Sequence, residues 1–231
     1  RLVAHVDLCM TVGDGLADTL ARRHGIARPL VVFNGPEVVI EPVRHADGPL
    51  RLYFQGAYTQ GRGIEEAITA MASLRGRAVL TLQGFGPLER ELRDRAERFG
   101  LGPDVVRFMP PCPPEHVVSA ASEHEIGLVS IRPVCLNNVL SMPNKVFTYL
   151  GGGIAILAPA ETTEIAGIIR RYGCGVVAEH WEAPEICAAL APLLRDRKSV
   201  DSMRVSARRA CDVFAWDRQF RPVIDGLRER S

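Results

Sequence analysis

Residues 141–158 read Ser141-Met-Pro-Asn-Lys-Val-Phe-Thr-Tyr-Leu-Gly-Gly-Gly-Ile-Ala-Ile-Leu-Ala158, and they predict a short helix, a stop and a strand. Pro143 suits the first helical turn, where its missing N–H group would have no partner anyway. The glycines at 151–153 are expected to end the helix, because glycine adopts the left-handed cap conformation without strain. Ile154–Ala158 is a short apolar run, which is typical of a strand buried on both faces. The stretch therefore indicates an α/β fold.

The start of this predicted helix has the features of an anion site, because its free N–H groups and its positive dipole end point the same way. Lys145 lies in the first turn, where a cation alone is mildly unfavourable against the dipole. An anion between the two, most simply a phosphate, would remove that conflict. The alternative is an ordinary surface lysine on the first turn of a helix.

Composition limits the classes of function that need to be considered. The chain has 231 residues, of which 47% are hydrophobic, so it has enough material for a substantial core. A net charge of +1 gives no electrostatic case for binding nucleic acid. No apolar run approaches the roughly 18 residues that suggest a membrane span. The sequence starts at Arg1 without a signal-peptide pattern, and we expect it to begin inside a longer protein.

The cysteines and histidines are scattered through the sequence rather than grouped. No pair of cysteines has C-x-x-C spacing and no H-E-x-x-H pattern occurs, so we predict no metal site. Cysteines inside apolar segments are typical of reduced thiols, and we predict a cytoplasmic protein. The cysteines are Cys9, Cys112, Cys135, Cys174, Cys187 and Cys211.

From Leu50 onward, short apolar runs alternate with amphipathic stretches, which predicts a Rossmann-like parallel sheet with helices on both faces. Ligands bind outside the carboxyl ends of such strands, which places Gly56, Gly84, Met109 and Arg132 on the functional edge. The predicted strands are Val6–Val12, Leu30–Phe33, Leu50–Phe54, Val79–Gln83, Val105–Phe108, Ile126–Ser130, Ile154–Ala158 and Gly175–Ala178. The predicted helices are Asp14–Arg23, Ile64–Leu74, Pro87–Phe99, Pro114–Ala121, Pro143–Leu150, Glu161–Tyr172, Ala183–Leu194, Val200–Cys211 and Phe214–Arg230.

Two glycine-rich turns follow predicted strands. In the turn from Gly56 to Gly63, glycines let the backbone approach a ligand, and Arg62 would meet phosphate oxygens with its planar fork. The plain alternative is a strand-to-helix turn with a solvated arginine. The second turn, Gly84-Phe-Gly86-Pro, fails the dinucleotide fingerprint because Glu89 occupies the third glycine position. This departure disfavours a nicotinamide-dependent dehydrogenase.

The stretch Ser141–Leu150, with the following glycines, resembles the donor-site motif of the large retaining glycosyltransferase family 4, which has the two-domain GT-B architecture. In that family, the turn that Gly56–Gly63 resembles holds the donor diphosphate, and the Gly-x-Gly-Pro turn helps to shape the nucleotide pocket. The Pro-Asn-Lys-x-Phe-x-Tyr context favours a phosphate role for Lys145. The resemblance implies Arg62 and Lys145 as catalytic cations. The donor-binding residues that it implies are Gly56, Gly84, Gly86, Met109, Pro110, Ser141, Met142, Asn144 and Thr148.

The sequence departs from the family pattern at three positions. Thr148 stands where the family has the glutamate that holds the nucleotide ribose, and Leu140 stands where it has a second glutamate. Ala57 replaces the first of the two cations in the diphosphate loop. The loop that contains Met109 and Pro110 resembles the family segment that meets the base, with a stiff proline-rich connector as the alternative.

The resemblance also implies a division of the chain. Residues 1–34 would be the end of an N-terminal acceptor domain and residues 35–49 a linker. Residues 50–212 would be the nucleotide-sugar-binding domain, followed by a C-terminal helix at 213–231.

The implied function is transfer of a sugar from a nucleotide-diphosphate sugar to an acceptor with retention, without a cofactor. The acceptor (a glycan, a lipid or a small molecule) would bind mostly to the N-terminal domain, through which any peripheral membrane contact would also be made. We therefore expect the isolated fragment to be inactive. The alternative, motivated by Thr148 and Leu140, is a nucleotide-sugar-binding module without transferase activity.

Overall fold

The computed structural model describes residues 6–36, 38–45 and 48–228. Its strands are β1 (Met10–Thr11), β2 (Leu30–Val31), β3 (Leu50–Gln55), β4 (Ala78–Gln83), β5 (Val106–Met109), β6 (Ile126–Leu128), β7 (Ala155–Pro159) and β8 (Gly175–Ala178). Its α-helices are α1 (Asp14–His24), α2 (Ile64–Met71), α3 (Glu89–Arg98), α4 (Val117–Ser122), α5 (Leu136–Val139), α6 (Asn144–Gly151), α7 (Thr163–Tyr172), α8 (Ala183–Arg195), α9 (Arg197–Val213) and α10 (Trp216–Arg228). A 3₁₀ turn, Pro114–His116, precedes α4.

Strands β3 to β8 form one six-stranded sheet in the order β5-β4-β3-β6-β7-β8, and every neighbouring pair is parallel. The chain builds outward from β3 to β5, then returns to the other side of β3 and builds outward from β6 to β8. The order of the strands therefore reverses between β3 and β6, which makes this junction the topological switch point. The predicted Rossmann-like parallel sheet is confirmed.

Alternate residues of the central strands enter two different hydrophobic cores. Leu52 and Phe54 pack with apolar residues of α2, α3 and α8 on one face. Tyr53 packs with residues of α6, α7 and α9 on the other face. Helices therefore cover both faces, as predicted, and α6 lies directly against the strands of the switch point. Within the described part of the chain, no helix is long and apolar enough to cross a membrane.

The quoted stretch folds as predicted, with small shifts at its ends. Pro143 precedes α6 in an extended conformation (φ −73°, ψ 146°) instead of opening it, and α6 begins at Asn144. Gly153 adopts φ +60°, the left-handed conformation expected of a glycine that ends a helix. The strand is shifted by one residue and runs from Ala155 to Pro159.

Several predicted elements have different bounds in the structure. The strand predicted at Val6–Val12 is reduced to Met10–Thr11, because only these residues pair with β2. Helix α9 begins before the predicted Val200, because the carboxylate of Asp196 accepts the main-chain N–H of Lys198 at 3.1 Å and caps the helix. Helix α5 was not predicted, since four residues are too few to show a helical period. Residues 229–230 of the predicted terminal helix lie outside the described residues.

A buried carboxylate ties α9 to the sheet. Glu125, directly before β6, is 2% exposed. One of its oxygens accepts the main-chain N–H of Arg51 at 3.0 Å, and the other pairs with Arg197 at the start of α9. Farther along α9, Arg204 is 4% exposed and donates to the carbonyl of Val43 at 2.6 Å. Burial lowers the pKa of Arg204, while the charge of Glu125 acts in the opposite direction.

The N-terminal segment is held by contacts with α7 and with Phe214, the residue after α9. The main-chain N–H groups of Asp14 and Gly15, at the start of α1, donate to the carboxylate of Glu164 at 3.2 and 2.9 Å. Glu164 lies in the first turn of its own helix, α7, and its carboxylate also caps the start of α1. Phe33 packs edge-to-face on Phe214, just before α10, with ring centroids 5.2 Å apart.

Candidate functional site

The switch point opens because a tyrosine of α6 occupies the space between β3 and β6. Beyond the paired residues of the two strands, the Tyr149 hydroxyl accepts the main-chain N–H of Gln55 at 3.2 Å. The same hydroxyl donates to the carbonyl of Leu128 at 3.3 Å. A Cβ atom at Gly127 would lie 2.3 Å from the Tyr149 ring, so only glycine leaves room for it. Tyr149 therefore satisfies the backbone of both strands while it keeps their carboxyl ends apart.

Lys145 lies one turn before Tyr149 and therefore on the same face of α6. Its ammonium nitrogen sits 3.8 Å from the centroid of the Phe54 ring, which is a cation–π contact. A Cβ atom at Gly56, where φ is +144°, would lie 3.5 Å from the same nitrogen. The glycine thus keeps the approach to the ammonium group open at the carboxyl end of β3.

The electrostatic setting of Lys145 is unusual for a lysine. Burial, and secondarily the nearby charge of Arg62, lowers the pKa of Lys145 from 10.5 to about 7. Neither the Lys145 ammonium nor the Arg62 guanidinium has a hydrogen-bond or ion-pair partner among the described residues. Two cations without acidic partners at a switch point form an arrangement that an anionic ligand would stabilise.

We expect Lys145 to lose its proton near pH 7, because burial and Arg62 both disfavour the charged ammonium. Lys145 and Lys198 are the two lysines of the sequence, so NMR of lysine-labelled protein gives two assignable signals. The Lys145 signal, identified by its loss in Lys145→Met, should shift with a midpoint near pH 7. A midpoint above pH 10 would contradict this description of the site.

Gly84 and Gly86 have a packing role. A Cβ atom at Gly84 would lie 2.0 Å from the carbonyl oxygen of Gly56, and one at Gly86 would lie 2.5 Å from that of Tyr58. The two turns are also bonded directly, since the N–H of Tyr58 donates to the carbonyl of Phe85 at 2.8 Å. These glycines let the second turn pack against the first, so they shape the site by supporting Gly56.

The other residues predicted on α6 and before it lie in different settings. Asn144 is exposed, and its amide oxygen accepts from Asn34 at 3.0 Å. The Thr148 hydroxyl donates to the carbonyl of Asn144 at 3.2 Å, within the helix. Ser141 donates to the carbonyl of Asn138 at 3.2 Å. The side chain of Met142 is 6% exposed and belongs to the hydrophobic core on the α6 side of the sheet.

At the end of β5, Met109 and Pro110 are exposed at the same edge of the sheet as Gly84. The main-chain N–H of Gly84 donates to the carbonyl of Met109 at 3.1 Å, so the two loops are joined. Gly56 thus lies against Lys145, and Arg62 is near enough for its charge to act on Lys145. The structure leaves Met142 in the core. No group of three or more His, Cys, Asp or Glu side chains in the described ranges could hold a metal ion.

Comparisons with known proteins identify the architecture. No protein-family model matches the chain, and no curated protein sequence matches it. Among solved structures, similar chains include WaaG, a glycosyltransferase involved in lipopolysaccharide biosynthesis (16% identity, TM-score 0.70, 94% of this chain and 61% of that one). A glycosyltransferase from Rickettsia africae matches with 12% identity and a TM-score of 0.77, covering 96% and 63% of the two chains. HepE from Anabaena, in complex with UDP and glucose, matches with 12% identity, a TM-score of 0.78 and the same coverage.

The six-stranded sheet with its flanking helices matches the Rossmann-like domain of GT-B glycosyltransferases such as WaaG. At such low identity the likeness establishes the fold alone. The chain spans 61% to 63% of the length of the three proteins.

Proposed function

We propose that this chain is the donor-binding part of a retaining glycosyltransferase of family 4, and that it binds the diphosphate of a nucleotide sugar at Lys145 and Arg62. One observation carries the proposal: at the switch point, Lys145 and the nearby Arg62 are cations without acidic partners, beside a glycine that leaves the approach open. Parallel α/β sheets bind ligands at this place. The ligand that such a site favours is an anion with at least two charges.

The proposed chemistry follows from the charge that develops during transfer. The bond between the anomeric carbon of the sugar and the diphosphate oxygen breaks, and its electron pair leaves with the diphosphate. An acceptor hydroxyl forms the new bond on the same face of the sugar and gives its proton to the departing diphosphate oxygen. The Lys145 ammonium and the Arg62 guanidinium would stabilise the negative charge as it builds, and prealigned charges act most strongly on the transition state.

The same proposal assigns a role to each part of the chain. Residues 50–212 would hold the donor, residues 1–34 would close the cleft from the acceptor domain, and residues 35–49 would link the two. The acceptor, a glycan, a lipid or a small molecule, would bind mostly outside this chain. Ser141 and Asn144 would line the start of α6, while Met109 and Pro110 would meet the base. We expect the 231-residue chain alone to bind the donor without transferring its sugar.

Thermal unfolding of the chain with a panel of nucleotides tests the proposal. UDP is the first probe, because HepE and Staphylococcus aureus TarM, which is 7% identical with a TM-score of 0.79, were both crystallised with it. A diphosphate at 100 times its dissociation constant should stabilise the fold by about 2.7 kcal/mol, which corresponds to a melting temperature about 5–10 °C higher. GDP and ADP test other bases, and uridine tests the need for phosphate. Equal shifts with uridine and UDP, or no shift with any diphosphate, would refute the phosphate site.

A nucleotide-sugar-binding module without transferase activity is the second candidate. The observations that favour it are Thr148, whose hydroxyl is engaged within α6, and Leu140, which offers no polar group. Both candidates predict nucleotide binding. Transfer or hydrolysis of a donor sugar by the full-length protein separates them, because only the transferase releases nucleoside diphosphate.

We expect Thr148→Glu to tighten binding of a ribose nucleotide by about 1 kcal/mol, the net worth of one hydrogen bond. The hydroxyl of Thr148 bonds to its own helix, whereas a glutamate could reach ribose hydroxyls. Lys145, three residues earlier, would offset the repulsion between the new carboxylate and the diphosphate. Calorimetry with UDP and 2′-deoxy-UDP measures the effect, and Thr148→Gln is the neutral control of equal length. If the ratio of the affinities for UDP and 2′-deoxy-UDP is the same in Thr148→Glu as in the unmodified chain, this residue does not face the ribose.

A further inference from the structure

The loop that carries Arg62 is held by an unusual set of hydrogen bonds. The carbonyl oxygens of residues 61–63, three in succession, each accept a bond from a residue that is distant in sequence. The donors are the main-chain N–H of Arg132, the hydroxyl of Ser130 and the indole N–H of Trp181. The Trp181 bond is 2.7 Å long and the Arg132 bond is 2.9 Å. The backbone on both sides of Arg62 is therefore fixed.

Ser130 and Trp181 are built into the fold rather than lying on its surface. They are 1% and 2% exposed, and they follow β6 and β8 respectively. The indole ring also packs against Gly63, where a Cβ atom would lie 2.5 Å from ring atoms of Trp181. Gly63 has φ +64°, so any other residue would be strained there as well. Gly63, the indole of Trp181 and the hydroxyl of Ser130 thus hold the loop before α2 in one conformation.

We propose that Trp181 and Ser130 are positioning residues of the diphosphate site, which hold the Arg62 loop so that the guanidinium faces the ligand. The inference rests on the proposed function, because it assigns these residues a task in binding the diphosphate. An arginine on a loop that is already ordered loses less conformational freedom on binding than one on a mobile loop. The indole N–H acts through the carbonyl of Gly63 and needs no contact with the ligand.

A double-mutant cycle separates positioning from a general contribution to folding, because positioning predicts coupling to Arg62 alone. Trp181→Phe keeps most of the packing and removes the N–H donor. We expect it to weaken UDP binding about 3- to 10-fold by calorimetry, the factor that corresponds to one neutral hydrogen bond. In the Arg62→Ala background the same change should have less than about a twofold effect, since the group that it positions is gone. In the Lys145→Ala background, Trp181→Phe should still weaken UDP binding about 3- to 10-fold.

The chain offers a matched control in its second tryptophan. Trp216, on α10, is 38% exposed and contacts Phe220 rather than the Arg62 loop. Trp216→Phe should leave UDP affinity unchanged. If Trp181→Phe fails to fold, Ser130→Ala makes the same test, because it removes the donor to the carbonyl of Arg62.

The possible outcomes are distinct. Wild-type affinity in a folded Trp181→Phe variant, or an equal loss with and without Arg62, would overturn the positioning role. In either case UDP binding by the unmodified chain would leave the proposed function standing. If the unmodified chain binds no nucleoside diphosphate, the proposed function fails and the positioning role fails with it.

Discussion

Replacing Lys145 with methionine is expected to weaken UDP binding by about 10- to 150-fold, the equivalent of one charge-assisted hydrogen bond. Methionine keeps the apolar stem over the Phe54 ring and removes the ammonium group. The same substitution should raise the melting temperature of the ligand-free chain, because it removes an unpaired charge whose burial is unfavourable. A variant that is more stable yet binds less well is the signature of a residue kept for its ligand.

The pH dependence of stability, compared between the unmodified chain and Lys145→Met, provides a second measurement. In the folded chain the pKa of Lys145 is about 7, below its ordinary value of 10.5. Between these two values the unfolded chain binds more protons, so the free energy of unfolding should rise with pH. Lys145→Met should lose this part of the pH dependence.

Lys198→Met is the matched control, since Lys198 is the other lysine and is exposed. Lys198→Met should leave the affinity for UDP unchanged. Arg62→Ala should also weaken UDP binding without unfolding the chain. Unchanged affinity in both Lys145→Met and Arg62→Ala would remove the phosphate site from this edge of the sheet.

Replacing Glu125 with alanine is expected to destabilise the chain by about 1–3 kcal/mol, because the groups that bond to this buried carboxylate lose their acceptor. The change strands Arg197 and removes the acceptor of the Arg51 N–H. For a chain of this size the melting temperature should fall by about 2–12 °C.

Asp18→Ala is the surface control for this prediction. This change breaks the ion pair between Asp18 and Arg28, whose side chains are 48% and 47% exposed, respectively. Exposed ion pairs contribute about 0–1 kcal/mol to stability. Glu125→Gln keeps an acceptor for the Arg51 N–H and should be less destabilising than alanine. Equal stability of Glu125→Ala and Asp18→Ala would show that the buried pair contributes no more than a surface pair.

The sheet was predictable because its strands are apolar runs whose residues alternate between two cores, as Leu52, Tyr53 and Phe54 do. The end of α6 was predictable because glycine alone enters the left-handed conformation readily, as Gly153 does. These are local properties, and each can be read within a few residues of sequence.

The role of Tyr149 was not predictable in the same way. Its hydroxyl matters because β3 and β6 are neighbours that separate beyond their paired residues, and that adjacency is a property of the topology. The capping of α1 by Glu164 likewise joins residues about 150 positions apart. One signal was present in the sequence: Gly127 interrupts the apolar run that precedes Ser130, and glycine inside a strand indicates a close approach.

The reason for the glycines of the second turn, Gly84 and Gly86, likewise depends on tertiary packing. The resemblance implies that Gly84 and Gly86 help to shape the nucleotide pocket. In the structure both residues are glycine because a side chain would collide with the first turn, at the carbonyls of Gly56 and Tyr58. Sequence pattern locates such a turn, whereas the reason for its glycines depends on what packs against it.

A crystal structure of the chain with UDP tests the central claim most directly. We predict that the diphosphate lies beside Gly56, with phosphate oxygens within hydrogen-bonding distance of both the Lys145 ammonium and the Arg62 guanidinium. The competing location is a cavity of about 540 Å³ at the outer edge of the sheet, lined by residues that include Arg93 and Phe108. A diphosphate bound there, or anywhere with Lys145 and Arg62 both out of contact, would contradict the account.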